Sequence, residues 1–244
     1  MTGTGWAIDA SPLVRARLAG VFYVLTGGTA FAAFVRNKVI VSGDALATAQ
    51  NILASESLYR WGLVADVLGV ASYIVFTALL YSLLKPVNRT LALLAAFLSL
   101  VGVATQAASM LGQFAALLFL TDIPTGAALD AAQREALALL SLRLGARGFD
   151  IACVFFGCYC AVLGYLIFRS TFFPRLLGVL VTIAGLALMA NSLTMFLAPH
   201  AAHMLAPILL SLDGIGELSL LLWLLIIGID VPKWRASATD VRRI

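Results

Sequence analysis

Six stretches of the chain stay apolar long enough to cross a bilayer as helix: about residues 16–35, 59–84, 91–120, 149–168, 175–198 and 205–229. A hydrocarbon core of about 30 Å takes roughly 20 residues at the helical rise. The ten-residue alternating strands of an outer-membrane barrel do not occur. The pattern predicts an all-α polytopic membrane bundle of six transmembrane helices, forming a single membrane domain over residues 1–244. Two inner turns, KPVNR (85–89) and FRSTFFPR (168–175), each carry a helix-stopping Pro. The two longer connections are polar enough to sit outside. The first, 42–57, offers Asp44 or Ser42 as a helix cap and places Leu46, Ala49 and Leu53 at helical spacing. The second, 128–147, places Leu129, Leu137, Leu140 and Leu144 on one side. Both predict short outer amphipathic helices, acting as a lid or as simple packing.

Composition agrees and narrows the function classes. Hydrophobic residues make up 62% of the chain and charged residues 11%, with mean hydropathy +1.01. A soluble domain has about 45–50% apolar and about 25% charged residues, so a soluble catalytic domain has no room here. The net charge of +4 comes with no nucleic-acid-binding signature, and no nucleic-acid partner is expected. It reads instead as a basic membrane margin. With the N-terminus inside, the inner flanks hold Arg15, Arg17, Lys85, Arg89, Arg169, Arg175, Lys233, Arg235, Arg242 and Arg243. The outer flanks hold Arg36, Lys38, Arg60, Arg134, Arg143 and Arg147, so both termini are expected to be cytoplasmic. Arg15 and Arg17 before an apolar run and Ala30-Phe31-Ala32 are like a secretory leader. The run continues apolar to Val35, and no cleavage is expected.

Ionisable groups inside a bilayer are costly and are functional candidates by default. Asp66, Asp150 and Asp213 lie 19, 19 and 20 residues before Lys85, Arg169 and Lys233. At the helical rise each is ~29 Å from the inner boundary, near the outer rim of the core. Glu217, Gln106 and Asn191 lie deeper, 16, 17 and 16 residues from Lys233, Arg89 and Arg175. Gln113 is higher on the face of Gln106, and Asp213 stacks one turn from Glu217. Polar side chains therefore gather in the outer half of the bundle. Two readings stand. One is an outward-opening polar pocket that binds a ligand, with Arg143, Arg147 and Arg60 neutralising the acids. The other is an ion-pair network that pins the helix ends. Asp66, Tyr81 and Lys85 also map onto Asp150, Tyr165 and Arg169 at an offset of 84, the trace of a duplicated hairpin.

Other chemistry is thin. His200 and His203 form an HAAH turn that, with Asp213 or Glu217, makes a weak metal candidate. Cys153, Cys158 and Cys160 share one segment and build no disulfide framework. No mid-membrane Lys serves a retinal, no pair of histidines spans the membrane for haem, and no P-loop, HExxH or GxSxG occurs. No cofactor is expected. Ala104, Ala108, Gly112 and Ala116 form a small-residue seam for helix packing, a homodimer contact or a contact with a partner membrane protein, and Gly178 and Gly185 form a lesser one.

The runs NILASESLYRWGLVADVL (51–68), LLYSLLKPVNRTLALLAAF (79–97), VFFGCYCAVLGYLIFRSTFFPRLLGVL (154–180) and IGELSLLLWLLIIG (215–228) resemble the bacterial membrane family known as domain of unknown function 4386. The resemblance covers about residues 15–230. It implies a bacterial cytoplasmic-membrane protein and brings no activity with it. Members of the family often have His after FFGx, where this chain has Tyr159, so a proton or metal role of that His does not transfer. Three functions fit the sequence: a protein binding or transporting a small molecule or lipid, an intramembrane enzyme using Glu217 or Asp150 as acid or base, and a non-catalytic partner subunit. The first is preferred, because polar groups cluster at one depth on several helices.

Overall fold

A computed structural model describes residues 11–121 and 129–240. Arg242 and Arg243, assigned above to the inner margin, lie outside the described residues. The protein is all-α and polytopic, with six helical segments among the described residues long and apolar enough to cross a membrane. In chain order the helices are α1 (Pro12–Leu25), α2 (Gly27–Val39), α3 (Ala45–Ala54), α4 (Glu56–Leu84), α5 (Arg89–Ser109) and α6 (Leu111–Thr121). They continue with α7 (Ala131–Arg169), α8 (Arg175–Leu197), α9 (Pro199–Leu222) and α10 (Val231–Asp240). A π-helical turn, Trp223–Ile227, extends α9.

Local chemistry accounts for the ends. Asp44 caps α3 by accepting from the Ala47 amide at 2.9 Å, as its position predicts. Asn88 caps α5 in the same way through the Leu91 amide. Asp130 and Gln133 form a reciprocal capping box at the start of α7. After that start, α7 runs unbroken for 39 residues. The expected separate helix at 128–147 is therefore the beginning of a transmembrane helix, because no Pro interrupts it before Arg169. Its buried side also differs from expectation: Ala138, Leu139 and Leu142 are buried while Leu140 and Leu144 are exposed. On α3, likewise, Thr48, Ala49 and Ile52 are buried and Leu46 and Leu53 are exposed. The leucine stripes do not mark the packing faces, since side chains facing lipid gain nothing by being polar.

Cα packing divides the chain into two compact units. The smaller comprises Leu25–Ala71 and Val103–Ile151; the larger comprises the described parts of Met1–Val24, Ser72–Gly102 and Ala152–Ile244. In the smaller unit the core is Val35, Val39, Ile52, Tyr59, Leu63, Ala116, Leu117, Ala138 and Leu142. Its helices touch through glycine. A Cβ on Gly28 of α2 would collide with the Ala65 carbonyl oxygen of α4, and one on Gly69 would lie 2.7 Å from Thr29 Oγ1. A Cβ on Gly112 of α6 would strike the Ser141 carbonyl oxygen of α7. Gly112 and Ala116 of the predicted seam are thus used inside the unit, whereas Ala104 and Ala108 stay exposed.

The larger unit buries Leu79, Leu83, Leu163, Leu166, Ile167 and Leu224 among others. Gly157 and Gly164 of α7 meet Gly185 and Gly178 of α8 at backbone distance, so the lesser seam is also an internal contact. Gly216 brings α9 against Leu180 and Ala184 of α8. The π-helical turn closes on Gly228, whose φ of 77° suits a residue without Cβ. There the Gly228 amide donates to the Trp223 carbonyl at 2.8 Å and the Trp223 indole donates to the Gly228 carbonyl at 2.9 Å.

Neighbouring glycines give a contrast that tests the α2–α4 contact. Gly27 has nothing within 4 Å of its Cβ position, so G27A should leave stability within about 1 kcal/mol of wild type. G28A should cost about 1–3 kcal/mol through backbone displacement, read from thermal or denaturant unfolding in detergent. Equal stability of the two variants would show that α2 and α4 do not meet at backbone distance.

Candidate functional site

The smaller unit holds a closed polar network around Asp66. Asp66 sits on α4 with 2% exposure. Asp66 is therefore enclosed by protein. Arg36 of α2 donates to Asp66 Oδ2 at 3.0 Å and to Gln113 Oε1 at 3.0 Å. Gln113 Nε2 donates to the same carboxylate at 3.4 Å. Gln106 Nε2 reaches Asp66 Oδ1 at 3.5 Å and Thr29 Oγ1 at 3.4 Å. Tyr59 adds a 3.0 Å hydrogen bond from its hydroxyl to the Gln113 carbonyl. Three predicted site residues, Asp66, Gln106 and Gln113, are thus brought together. Their cation is Arg36, which the charge pattern assigned to a solvated flank. Its position inside α2, three residues before Val39, turns it inward. The expected neutraliser Arg60 is spent on Glu56 at 2.7 Å instead.

Asp150 is half-buried and pairs with Arg147 on its own helix at 2.8 Å, as its one-turn spacing predicts. Arg143 is exposed and enters no ion pair among the described residues. The two acids of the proposed repeat therefore have different surroundings, one in a four-helix network and one in a local pair.

A second group of polar side chains belongs to the larger unit. Glu217 lies on α9 with Asp213 one turn before it, and the Tyr23 hydroxyl hydrogen-bonds the Glu217 carboxylate. Tyr73, Tyr159 and Cys160 lie within electrostatic reach of Glu217. The tyrosines are held by ring packing: Tyr23 stacks on Phe76 at 4.3 Å, and Tyr73 packs against Phe156 at 5.1 Å and Tyr159 at 6.2 Å. No ion pair among the described residues engages Glu217 or Asp213. The Tyr159 hydroxyl and Asp213 Oδ1 are buried without a hydrogen-bond partner. Asn191 Oδ1 on α8 is buried and unpartnered as well.

Tyr23 and Tyr73 carry no charge or amide to mark them in the sequence, and Tyr159 stood out there as the residue in place of a His that family members often have. A tyrosine in an apolar run carries no charge and counts as apolar by composition. His200 and His203 lie in the first turn of α9, not in a loop, and both are exposed. Among the described residues no group of three His, Cys, Asp or Glu could hold a metal ion. Cys153 and Cys160 are both buried.

Two apolar grooves open on the helix surfaces. One, of about 390 Å³ in the smaller unit, is lined by Leu63, Val67, Phe114, Leu118, Thr121 and Arg60 among others. The other, of about 360 Å³ in the larger unit, runs between α8 and the end of α9. Neither is lined by Asp66, Asp150, Asp213 or Glu217.

The Asp66 network is chemically complete, so its removal should act on folding. Breaking a buried pair by deleting one partner costs about 3–5 kcal/mol, because the other charge is stranded. R36A and D66N should each lose about 3 kcal/mol of stability in detergent. The double variant R36M/D66L should lose much less than the sum of the two. Single variants within about 0.5 kcal/mol of wild type would show that the pair carries no weight.

The family model described as domain of unknown function, DUF4386, matches residues 18–228, which is most of the chain. No curated protein and no solved structure matches it. The matched span contains the Asp66 network, the Glu217 group and the glycine contacts that position them. The chain belongs to the DUF4386 family of proteins of unknown function.

Proposed function

We propose that the protein binds or transports a small molecule or lipid inside the membrane, at Glu217 and Asp213 of the larger unit. The observation that carries this reading is the unspent polar chemistry there: two carboxylates one turn apart with no cation among the described residues, beside the unpartnered Tyr159 hydroxyl and Asp213 Oδ1. A buried polar atom without a partner costs about 1–3 kcal/mol, and a ligand that supplies the missing hydrogen bonds recovers that cost. The ligand chemistry this favours is a donor-rich or positively charged group on an otherwise apolar body, which the ring cluster of Tyr23, Tyr73 and Phe76 would face. Asp66, Gln106 and Gln113 serve as scaffold, since their hydrogen bonds are used within their own network. Counted from Lys233, Glu217 lies ~24 Å into the membrane, so the site opens toward the side away from the C-terminus.

The proposal places the protein in the bacterial inner membrane with both termini cytoplasmic. The basic turns and α10 support that orientation by the excess of Lys and Arg. A fluorescent-protein fusion after Ile244 should therefore glow, and an alkaline phosphatase fusion at the same place should be inactive. The reverse result would invert the topology.

Native mass spectrometry of wild type beside E217Q tests the site. Wild type should carry a co-purifying small molecule or lipid, and E217Q should lose it while still eluting as a monodisperse folded protein, with a melting temperature lower by no more than the lost ligand explains. A clean apo mass in both, with a second protein attached, would move the function to that of a partner subunit.

A further inference from the structure

The two grooves differ in one respect that assigns a ligand to the second. Both are apolar and both have an arginine at or beside the rim. In the smaller unit that arginine is Arg60, already neutralised by Glu56 at 2.7 Å. In the larger unit it is Arg175, flanked by the lining residues Pro174 and Leu176. Arg175 is exposed and makes no ion pair among the described residues; its guanidinium lies 5.9 Å from the Phe168 ring.

The surroundings of Arg175 are basic. Helix α10 draws the two short turns to one end of the larger unit. Trp234 donates to the Leu83 carbonyl at 2.8 Å, Asp230 donates its amide to the Phe172 carbonyl at 3.3 Å, and Ser237 meets Thr171 at 3.3 Å. Arg15 packs over Trp234 at 4.8 Å. This end therefore collects Arg15, Lys85, Arg89, Arg169, Arg175, Lys233 and Arg235. Facing them is Asp230, and it is committed: it pairs with Lys233 at 2.9 Å, whose hydrogen bonds hold its carboxyl below the usual range.

The groove beneath has the character of an acyl-chain seat. Leu177, Leu180, Leu222, Trp223 and Ile226 line it along the helix axes, with the Ser219 hydroxyl as its polar atom. Its floor is shaped by the π-helical turn at Trp223–Ile227, which the Trp223–Gly228 pair of hydrogen bonds holds in place. Such turns are rare and recur at functional positions.

We propose that this groove is a binding site for an anionic phospholipid, with one acyl chain along α8 and α9 and the phosphate at Arg175. The site is independent of the Glu217 group: none of its lining residues belongs to that group. A basic pocket between membrane helices is a recognised way of holding anionic headgroups, worth about 1 kcal/mol per cation near the surface.

The test titrates the purified, delipidated full-length protein in detergent with phosphatidylglycerol or phosphatidylcholine of matched chains, counting bound lipid by native mass spectrometry. Wild type should bind one phosphatidylglycerol with about fivefold preference over phosphatidylcholine. R175Q should lose that preference and R175K should keep it. L180W, which fills the groove, should lose the tight site for both lipids. Millimolar inorganic phosphate should not displace the bound lipid, since the chain contributes to affinity. Equal binding of the two lipids by wild type, an unchanged preference in R175Q, or full displacement by phosphate would each overturn the proposal. The wild-type comparison and L180W stand without R175Q, should that variant fail to fold.

Discussion

A carboxylate buried among membrane helices has no water to turn to, and the smaller unit is organised around meeting the needs of one. Asp66 must accept hydrogen bonds from protein or not be charged. The chain supplies them from three other helices: Arg36 from α2, Gln106 from α5 and Gln113 from α6. Such an arrangement adds little net energy over an apolar core, because desolvation consumes most of the Coulomb gain. What it adds is register. A slip of one residue along α2 would strand a charge, and one along α5 or α6 would leave hydrogen bonds to the carboxylate unmade, whereas a slip of leucine against leucine in lipid costs little.

That network is possible only because the backbones come close. Arg36 spans to Asp66 from a helix that touches α4 at Gly28 and Gly69, where a single added methyl would meet carbonyl oxygen or threonine hydroxyl. Helix breaks sit beside the same contacts. The first membrane segment is interrupted at Thr26, just before Thr29, and the third at Met110, between Gln106 and Gln113. Across the second interruption, two glutamines seven residues apart reach the two oxygens of one carboxylate. Glycine contact, helix break and charge network therefore form one device.

The chain's class, its six membrane segments and the Asp44 cap are legible in the sequence because they depend on local composition and spacing. That Asp66, Gln106 and Gln113 need polar partners is legible too, but the sequence grouped them with Asn191, Asp213 and Glu217, which the structure places in the other unit. What the sequence does not disclose is pairing across helices. Arg36 stands three residues before the end of α2 and two before Lys38, a pattern that fits a solvated flank as well as an inward side chain. The leucines at 46, 53, 140 and 144 misled in the opposite direction. In water an apolar stripe marks the buried face, but next to lipid it marks the exposed one, and the buried faces are read from small residues. Tyr23 left no mark at all, and Tyr159 was marked by the His it replaces and not by its neighbours, because an uncharged ring with a hydroxyl scores as apolar until those are known.

Those two tyrosines separate the two polar groups in kind. Around Asp66 every strong acceptor meets a donor supplied by the protein. Around Glu217 the protein supplies the Tyr23 hydroxyl and leaves the Tyr159 hydroxyl and Asp213 Oδ1 without partners. Had Glu217 been there to fix register, an arginine like Arg36 would be the economical complement, and the chain places none in an ion pair with it among the described residues. Polar atoms are retained unpaired in a low-dielectric interior when something else completes them. The difference between a network that is finished and one that is not is the physical ground for separating the two groups, and for the proposal that a ligand is met at Glu217 and not at Asp66.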